Sequence, residues 1–424
     1  MPLPLECLSK KHQDTKIHKT PGLPNFPFVI FGALVFSWQK KAIRTFSTNK
    51  INFFLLSLIF ASCSLPQEKE KNISAESSVK YAQGFTIETT AHFKKLVVLN
   101  PWNNFEPYAT YYILKDSLKL EVNPNELNFY SSKTPKKIAL HTAAQAASLK
   151  ALELDIYVKG ITDPRFFYEK QYADRLDSKE LIQTSNQVSI NKERMLLLQP
   201  DIVITSGWNT INSDYQLLIK MGIPPLFMIE WMETNPLGRA EWIKVLGLLF
   251  DKEKECDSIF RAVESNYLTL KNQKRSHKSK PKVLHGEEYN GVWYVAGGQS
   301  FIANIYKDAG ADYLWKENDQ TGSLAIDLEV VLEKGVNSDF WFTTFGQNEA
   351  DINHIKQEKY KLLKSVKNEN IYSNIKRKRE MGGNDFWETG NYRPDLILED
   401  IVQIIHQESK SKDKLFFYEK LNIK

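Results

Sequence analysis

The stretch Glu193-Arg-Met-Leu-Leu-Leu-Gln-Pro-Asp201-Ile-Val-Ile-Thr205 has a looser second copy, Glu329-Val-Val-Leu-Glu-Lys-Gly-Val-Asn-Ser-Asp339-Phe-Trp-Phe-Thr343. Each reads as a short amphipathic helix opened by a carboxylate, a turn at Asp, and then a buried strand. The second copy is two residues longer between its Glu and its Asp. One such phrase near the middle of each of two segments predicts two similar α/β lobes, and two lobes make a cleft. Helix-strand phrases are common in α/β proteins, so the repeat gains weight only from what surrounds it.

Outward from the first copy, Lys136-Lys-Ile-Ala-Leu-His141, Asp201 to Thr205 and Pro225-Leu-Phe-Met-Ile-Glu230 read as strands, with helical patterns between them. That alternation predicts βαβ units and a mostly parallel sheet. Residues 84–122 alternate instead, with Asn100-Pro-Trp between, and predict hairpin strands. A helix is expected over Ala240–Phe250. A longer one is expected from Glu253 to Lys271, with Cys256, Ile259, Phe260, Val263, Tyr267 and Leu270 at a period of 3.6. At 1.5 Å per residue it spans roughly 30 Å, the width of a small domain. A basic polar linker follows. The βαβ pattern restarts with Lys282-Val-Leu-His and Val292-Trp-Tyr-Val-Ala, then Gly297-Gly-Gln-Ser300 opens a helix over Phe301–Ala309. Pro394 stands in the first turn of a late helix that runs to His406.

The fold class expected is therefore α/β: two lobes, each with a mostly parallel sheet flanked by helices, joined by one long helix. The domains expected are a leader and signal at 1–63, a tether at 64–80, an N-terminal lobe at 81–250, an inter-lobe helix at 251–273 and a C-terminal lobe at 280–424. A continuous helix bends less than crossed strands would, so closure on binding should be small.

The formal charge of +5 belongs to the leader, whose residues 1–63 hold eight Lys/Arg and two Asp/Glu. The remainder carries 48 basic against 49 acidic side chains, so nothing argues for nucleic acid. Ile51 to Phe60 is a greasy run behind Lys40, Lys41, Arg44 and Lys50, and it ends in Phe60-Ala61-Ser62-Cys63. About a dozen residues are too few for a spanning helix, which needs ~20. The arrangement resembles a bacterial lipoprotein signal, which implies cleavage before Cys63 and its acylation. More than one acyl chain gives lasting anchorage. The polar stretch after Cys63 is read as a solvated tether. A second apolar run, Phe26 to Trp38, precedes the signal, and no Met lies between Met1 and Met195. Translation from a non-Met codon near residues 34–43 is expected on that ground. With Cys7 removed and Cys63 modified, Cys256 has no disulfide partner.

The ordered motifs resemble the substrate-binding proteins of ABC importers for iron complexes, haem and cobalamin, whose lobes are joined by one rigid helix. The carrying residues are Asn191 to Ile204, Leu217-Leu-Ile-Lys-Met-Gly-Ile-Pro-Pro-Leu226, Val292 to Asn304 and Leu328-Glu-Val-Val-Leu332. Gly382-Gly-Asn-Asp-Phe-Trp-Glu-Thr-Gly-Asn-Tyr-Arg-Pro-Asp395 resembles the branch common in Bacteroidota. The resemblance covers residues 136–408; the hairpins before Lys136 and the overlong leader depart from it. It implies that Glu193 and Glu329 dock into arginines of a membrane permease. It further implies an ATPase beyond that permease, a periplasmic-side lipid anchor, no cofactor, no metal and a monomer.

Ligands of open parallel sheets bind beyond the carboxyl ends of strands. The candidates there are Trp208 and Asn209 after one strand, Glu230 and Trp231 after the next, then Tyr289 with Trp293 close by. Phe386, Trp387 and Arg393 come from the Gly382–Arg393 loop. Aromatic faces bury much area per residue and suit a large, flat or caged ligand. Arg239 and Arg393 favour an anionic ferric siderophore, whereas Glu230, Glu233, Asp385 and Glu388 oppose one. An iron complex ranks first and cobalamin, roughly neutral, close behind. Eight His without paired spacing speak against a metal-ion carrier. No Gly-x-Ser-x-Gly, P-loop or zinc-protease motif occurs, and the rival class is a lipid-anchored enzyme with an unrecognised site.

Overall fold

The computed structural model describes residues 79–115, 127–186, 189–273, 280–380, 382–406 and 415–423. The expected leader, Cys63 and the tether up to residue 78 lie outside the described residues. The first sheet runs in chain order through β1 (Phe85–Thr89), β2 (Phe93–Asn100), β3 (Glu106–Leu114) and β4 (Asn128–Ser131). The first three strands form the antiparallel hairpins that the alternation predicts, and β4 adds to them in parallel with β3. This sheet lays Phe85 edge-on against Trp242 at 5.0 Å and stacks Tyr111 beside Phe129. Its inner face thus closes over the lobe that follows.

That lobe is built on β5 (Ile138–Leu140), β6 (Val158–Ile161), β7 (Ile182–Gln183), β8 (Ile202–Ser206) and β9 (Pro225–Met228). They stand in the order β7-β6-β5-β8-β9, all parallel. Both faces are covered, so β5, β9 and β8 as far as Ile204 are runs of buried apolar residues without alternation. The second lobe comprises β10 (Lys282–His285), β11 (Glu287–Tyr289), β12 (Val292–Ala296), β13 (Asp312–Tyr313), β14 (Ser323–Asp327), β15 (Phe340–Thr343), β16 (Ile371–Ser373) and β17 (Glu419–Lys420). Its main sheet has the order β13-β10-β15-β16-β17, parallel but for the last pair. Val292–Ala296, read as part of the restarted βαβ pattern, belongs instead to a small antiparallel sheet, β11-β12-β14.

The sequence repeat has a common structural cause. Asp201 donates its N–H to the Lys137 carbonyl at 2.8 Å, and its Oδ2 accepts the N–H groups of Lys136 and Lys137. Asp339 donates to the Lys282 carbonyl at 2.9 Å, and its Oδ2 accepts the Lys282 N–H at 2.8 Å. In each lobe the Asp between helix and strand thus satisfies backbone donors at the start of the neighbouring strand. The length difference falls at the helix ends. The first copy's helix, Lys192–Leu198, stops at left-handed Gln199 (φ 47°), whereas the second, Leu328–Gly335, is one residue longer and continues right-handed at Val336.

The helix Glu253–Asn272 buries Cys256, Phe260, Val263 and Tyr267, which fall on one face at spacings of four and three. Each such burial contributes about 1.5–3 kcal/mol. The helix packs on Ile243–Phe250 from the first lobe and on Pro394–His406 from the second. Tyr267 donates to Asp308 at 2.8 Å, and the Asn266 amide to Asp395 at 3.2 Å. The expected single helix at Ala240–Phe250 is two, Pro236–Glu241 and Ile243–Phe250, because Asn235 caps a start at Pro236 and the path turns at Trp242.

The lobes also meet directly. The helix Asp385–Tyr392, from the second lobe's sequence, packs on Ala146–Ala151 of the first. Gly383 makes this approach possible, since a Cβ there would lie 2.1 Å from the Phe167 carbonyl oxygen. The chain is held from residue 80 onward, the last residue of the expected tether. The Glu241 carboxylate accepts the N–H groups of Lys80, Tyr81 and Ala82, and Glu233 accepts those of Gln83 and Gly84.

Candidate ligand cleft

Beyond the carboxyl ends of β8 and β9 the chain presents aromatic rings. Trp208 and Trp231 lie 4.8 Å apart by ring centroids, and the Trp231 indole N–H donates to the Gly207 carbonyl at 3.2 Å. Gly207 is required there, because a Cβ would stand 2.7 Å from the Ile229 side chain. Trp208 is 41 % exposed, as befits a ring offered to solvent or ligand. Asn209 follows it on the same loop and lines a cavity of about 410 Å³ with Trp208.

Two partners of this cluster come from the hairpin sheet and were not among the residues singled out from sequence. Trp102, in the β2–β3 turn, sits 5.7 Å from Trp231. Tyr108, on β3, donates its hydroxyl to the Trp208 carbonyl at 2.8 Å and meets Phe227 edge-on at 5.3 Å. Burial raises the Tyr108 phenol to about 12, so it stays a neutral donor. The only sequence signal was the Asn-Pro-Trp turn, and nothing local says which distant loop that turn will meet.

The other candidates divide. Trp387 is 49 % exposed and lies edge-on to Phe386, whereas Phe386 itself is buried against Phe417 and Tyr418. Tyr289, at the β11–β12 turn, is 52 % exposed. Trp293 does not face a cleft. It is 0 % exposed, its indole N–H donates to the His285 carbonyl, and it packs on Trp341 and Tyr360. The period-two alternation of β12 turns Trp293 and Val295 inward together. Arg393 is held by Asp395 through two hydrogen bonds of 2.9 and 2.8 Å.

Glu230 is buried in the seam between lobes rather than lining it. Its Oε1 accepts from Gln145 at 2.8 Å and from Asn391 at 3.2 Å, and Asn391 in turn accepts from Arg239 at 2.7 Å. Burial pushes the Glu230 carboxyl up, and Arg239 opposes the shift. Glu388 stands in the same seam, accepting the Tyr168 N–H at 2.5 Å, and burial pushes it up to about 8. Asp385 binds Arg377 at 2.6 Å and Glu233 serves the chain at Gln83 and Gly84. The four carboxylates expected to oppose an anionic ligand thus each accept from the protein's own donors, although Glu230 and Glu388 each keep one buried oxygen without a partner. The two arginines expected to attract one donate to the protein's own acceptors, Arg239 to Asn391 and Arg393 to Asp395. Arg239 lies buried over the Phe301 ring at 4.5 Å.

Glu193 and Glu329 are both exposed, each the second residue of its helix, behind caps Asn191 and Asp327. Among the described residues no cluster of three or more His, Cys, Asp or Glu could hold a metal ion, and no helix is long and apolar enough to cross a membrane.

Residues 138–375, more than half of the chain, match the model of the periplasmic binding proteins. The chain belongs to the periplasmic binding protein family. The family is one of solute-binding proteins, and membership points to an extracytoplasmic place. An uncharacterized lipoprotein of Methanocaldococcus jannaschii is 27 % identical over 273 residues, which span 63 % of this chain and 63 % of the relative's own length. A possible iron-binding, periplasmic solute-binding protein of Staphylococcus epidermidis shares the fold at a TM-score of 0.51 and 18 % identity, over 65 % of this chain and all of that one. A periplasmic binding protein of Veillonella parvula does so at 0.51 and 16 %, over 65 % of this chain and 93 % of its own. This periplasmic binding protein differs from the expected family pattern by its hairpin sheet, which supplies Trp102 and Tyr108 to the aromatic cluster.

Proposed function

We propose that this periplasmic binding protein is the substrate-binding lipoprotein of an ABC importer, anchored through Cys63. It captures an iron complex or cobalamin between its lobes and delivers it to the permease. The observation that carries the reading is the exposed ring of Trp208, backed by half-buried Trp231, beyond the ends of β8 and β9, where open α/β sheets take ligands. Asn209, Tyr289 and Trp387 complete the accessible set. Phe386 backs Trp387, and Glu230 joins the lobes through Gln145 and Asn391, whereas Trp293 and Arg393 stay outside the proposed ligand set. Support for the anchor comes from the small residues before Cys63 and from a relative named as a lipoprotein. Support for iron comes from the similar Staphylococcus epidermidis protein, whose description is possible iron binding.

Glu193 and Glu329 are the docking groups in this reading. Two carboxylates at matching positions of two repeated helices, held apart by a rigid body, fix orientation together. An exposed ion pair contributes only about 0.2–1 kcal/mol, so register and encounter rate gain more than affinity. The test is uptake by cells carrying Glu193→Ala with Glu329→Ala. Transport should fall while the purified variant's cargo affinity stays unchanged; undiminished transport would refute docking at these groups.

A further inference from the structure

The hairpin sheet does more than cover β9. Its attachment is already secured at buried positions: Phe85 packs on Trp242, and Tyr111 donates to the Pro225 carbonyl and accepts the Phe227 N–H. Trp102 and Tyr108 lie beyond that attachment. They extend toward the loops after β8 and β9: Trp102 meets Trp231 in the second of these, and Tyr108 meets the Trp208 carbonyl in the first. Between β3 and that loop lies the cavity of about 410 Å³, within the roughly 300–1,000 Å³ typical of small-molecule sites.

The chemistry of its wall is specific. None of the nine side chains lining it is charged. Tyr108, Ser206, Asn209 and Thr210 supply hydroxyl and amide groups, and Trp208 and Phe227 supply flat apolar surface. Tyr215 closes the back, its hydroxyl within 2.6 Å of Thr205 and 3.3 Å of His141. An anion placed here would lose hydration and meet no cation, which is costly. A neutral ring with its own amides or hydroxyls would lose nothing comparable, because the wall offers both donors and acceptors. Its flat face would find the indole.

We infer that the hairpin sheet and the loop after β8 together form a specificity subsite for an uncharged, amide- or hydroxyl-bearing ring of the cargo, with Tyr108 as its added recognition residue and Trp102 as its positioning residue. The inference rests on the carrier reading above and selects within it. Neutral cargo is taken and anionic cargo refused. Trp102 acts through Trp231 and Trp208, holding the indoles in place, and Tyr108 faces the ring directly.

The test uses the full chain and four probes: cyanocobalamin and ferrichrome, both neutral, and haemin and ferric enterobactin, both anionic. Tryptophan fluorescence gives the Kd of each for the wild type, Trp102→Ala, Tyr108→Phe and Thr210→Trp. The last places bulk at an exposed residue of the wall, so it fills the cavity without disturbing the core even if Trp102→Ala fails to fold. The wild type should bind a neutral probe at least tenfold more tightly than either anionic one. Trp102→Ala and Thr210→Trp should each weaken it at least tenfold, and Tyr108→Phe severalfold. Tight neutral binding that Thr210→Trp leaves within twofold overturns the subsite and keeps the carrier. Preference for an anionic probe also overturns it. Absence of binding to all four overturns the carrier reading and the subsite with it.

Discussion

Two tryptophan pairs, one in each lobe, are used in opposite ways. In the second, Trp293 and Trp341 are almost wholly buried and donate their indole N–H groups to the His285 and Gly286 carbonyls at the end of β10. In the first, Trp208 and Trp231 stand beyond the strand ends and Trp208 is left 41 % exposed. The residue type is the same and all four lie near strand ends, yet one pair builds the core and the other builds a surface. What differs is backbone context. Trp293 and Trp341 sit within strands, where alternation or double-sided cover directs the ring inward. Trp208 follows Gly207 into a loop, where no sheet face claims it. Aromatic content near a strand end therefore marks a binding face only once the strand has finished.

The largest effect that could break this contrast is on stability. Trp293→Ala should cost about 3–5 kcal/mol in urea unfolding, the usual penalty for emptying a buried aromatic site. Trp208→Ala should cost under about 1 kcal/mol. Equal losses would erase the distinction. Next is the seam that joins the lobes. The Glu388 carboxyl is raised by burial from 4.5 to about 8. Its folded-state proton is held more tightly than in the unfolded chain, so its contribution is complete below pH ~4.5 and is lost as pH rises through 8. Wild-type stability should fall relative to Glu388→Gln across that window, by at most about 1.4 kcal/mol per pH unit. Parallel pH profiles for the two proteins would show that Glu388 does not titrate within the seam.

Cargo affinity sharpens the contrast from the other side. Trp208→Ala should weaken binding about tenfold, or about 1.4 kcal/mol, read by calorimetry on the cargo that co-purifies. An unchanged Kd would leave the first lobe's indoles as mere surface. The smallest expected effect concerns what the lobes share. Asp201→Ala leaves two strand-start N–H groups without their carboxylate and Asp339→Ala leaves one, and each should cost about 1 kcal/mol. A silent variant in one lobe would mean that the repeat is not one device used twice.

The sequence carried much of the fold because its signals were local. The 3.6-residue spacing of Cys256, Phe260, Val263 and Tyr267 marks the linking helix within a residue of its end. Pro225 to Met228 and Phe340 to Thr343 read as strands because a doubly covered parallel strand is apolar throughout. The site was less legible. Nearness in sequence suggested Trp293, although the alternation of Val292-Trp-Tyr-Val-Ala already pointed its ring inward. Glu230, Glu233, Asp385 and Glu388 were visible as carboxylates, but their hydrogen-bond donors come from distant segments such as Gln145, Gln83 and Tyr168. Trp102 and Tyr108 reach the cluster only through the docking of one sheet on another. Composition and spacing contain no term for that contact.

The most direct test of the whole account is the cargo itself. The protein, purified without chelator or dialysis from its own cell envelope, should give an optical spectrum and an intact-complex mass showing about one bound iron complex or cobalamin per chain. A preparation with no bound cargo, no thermal shift with haemin, cyanocobalamin or ferric siderophores, and measurable turnover of some substrate would contradict it.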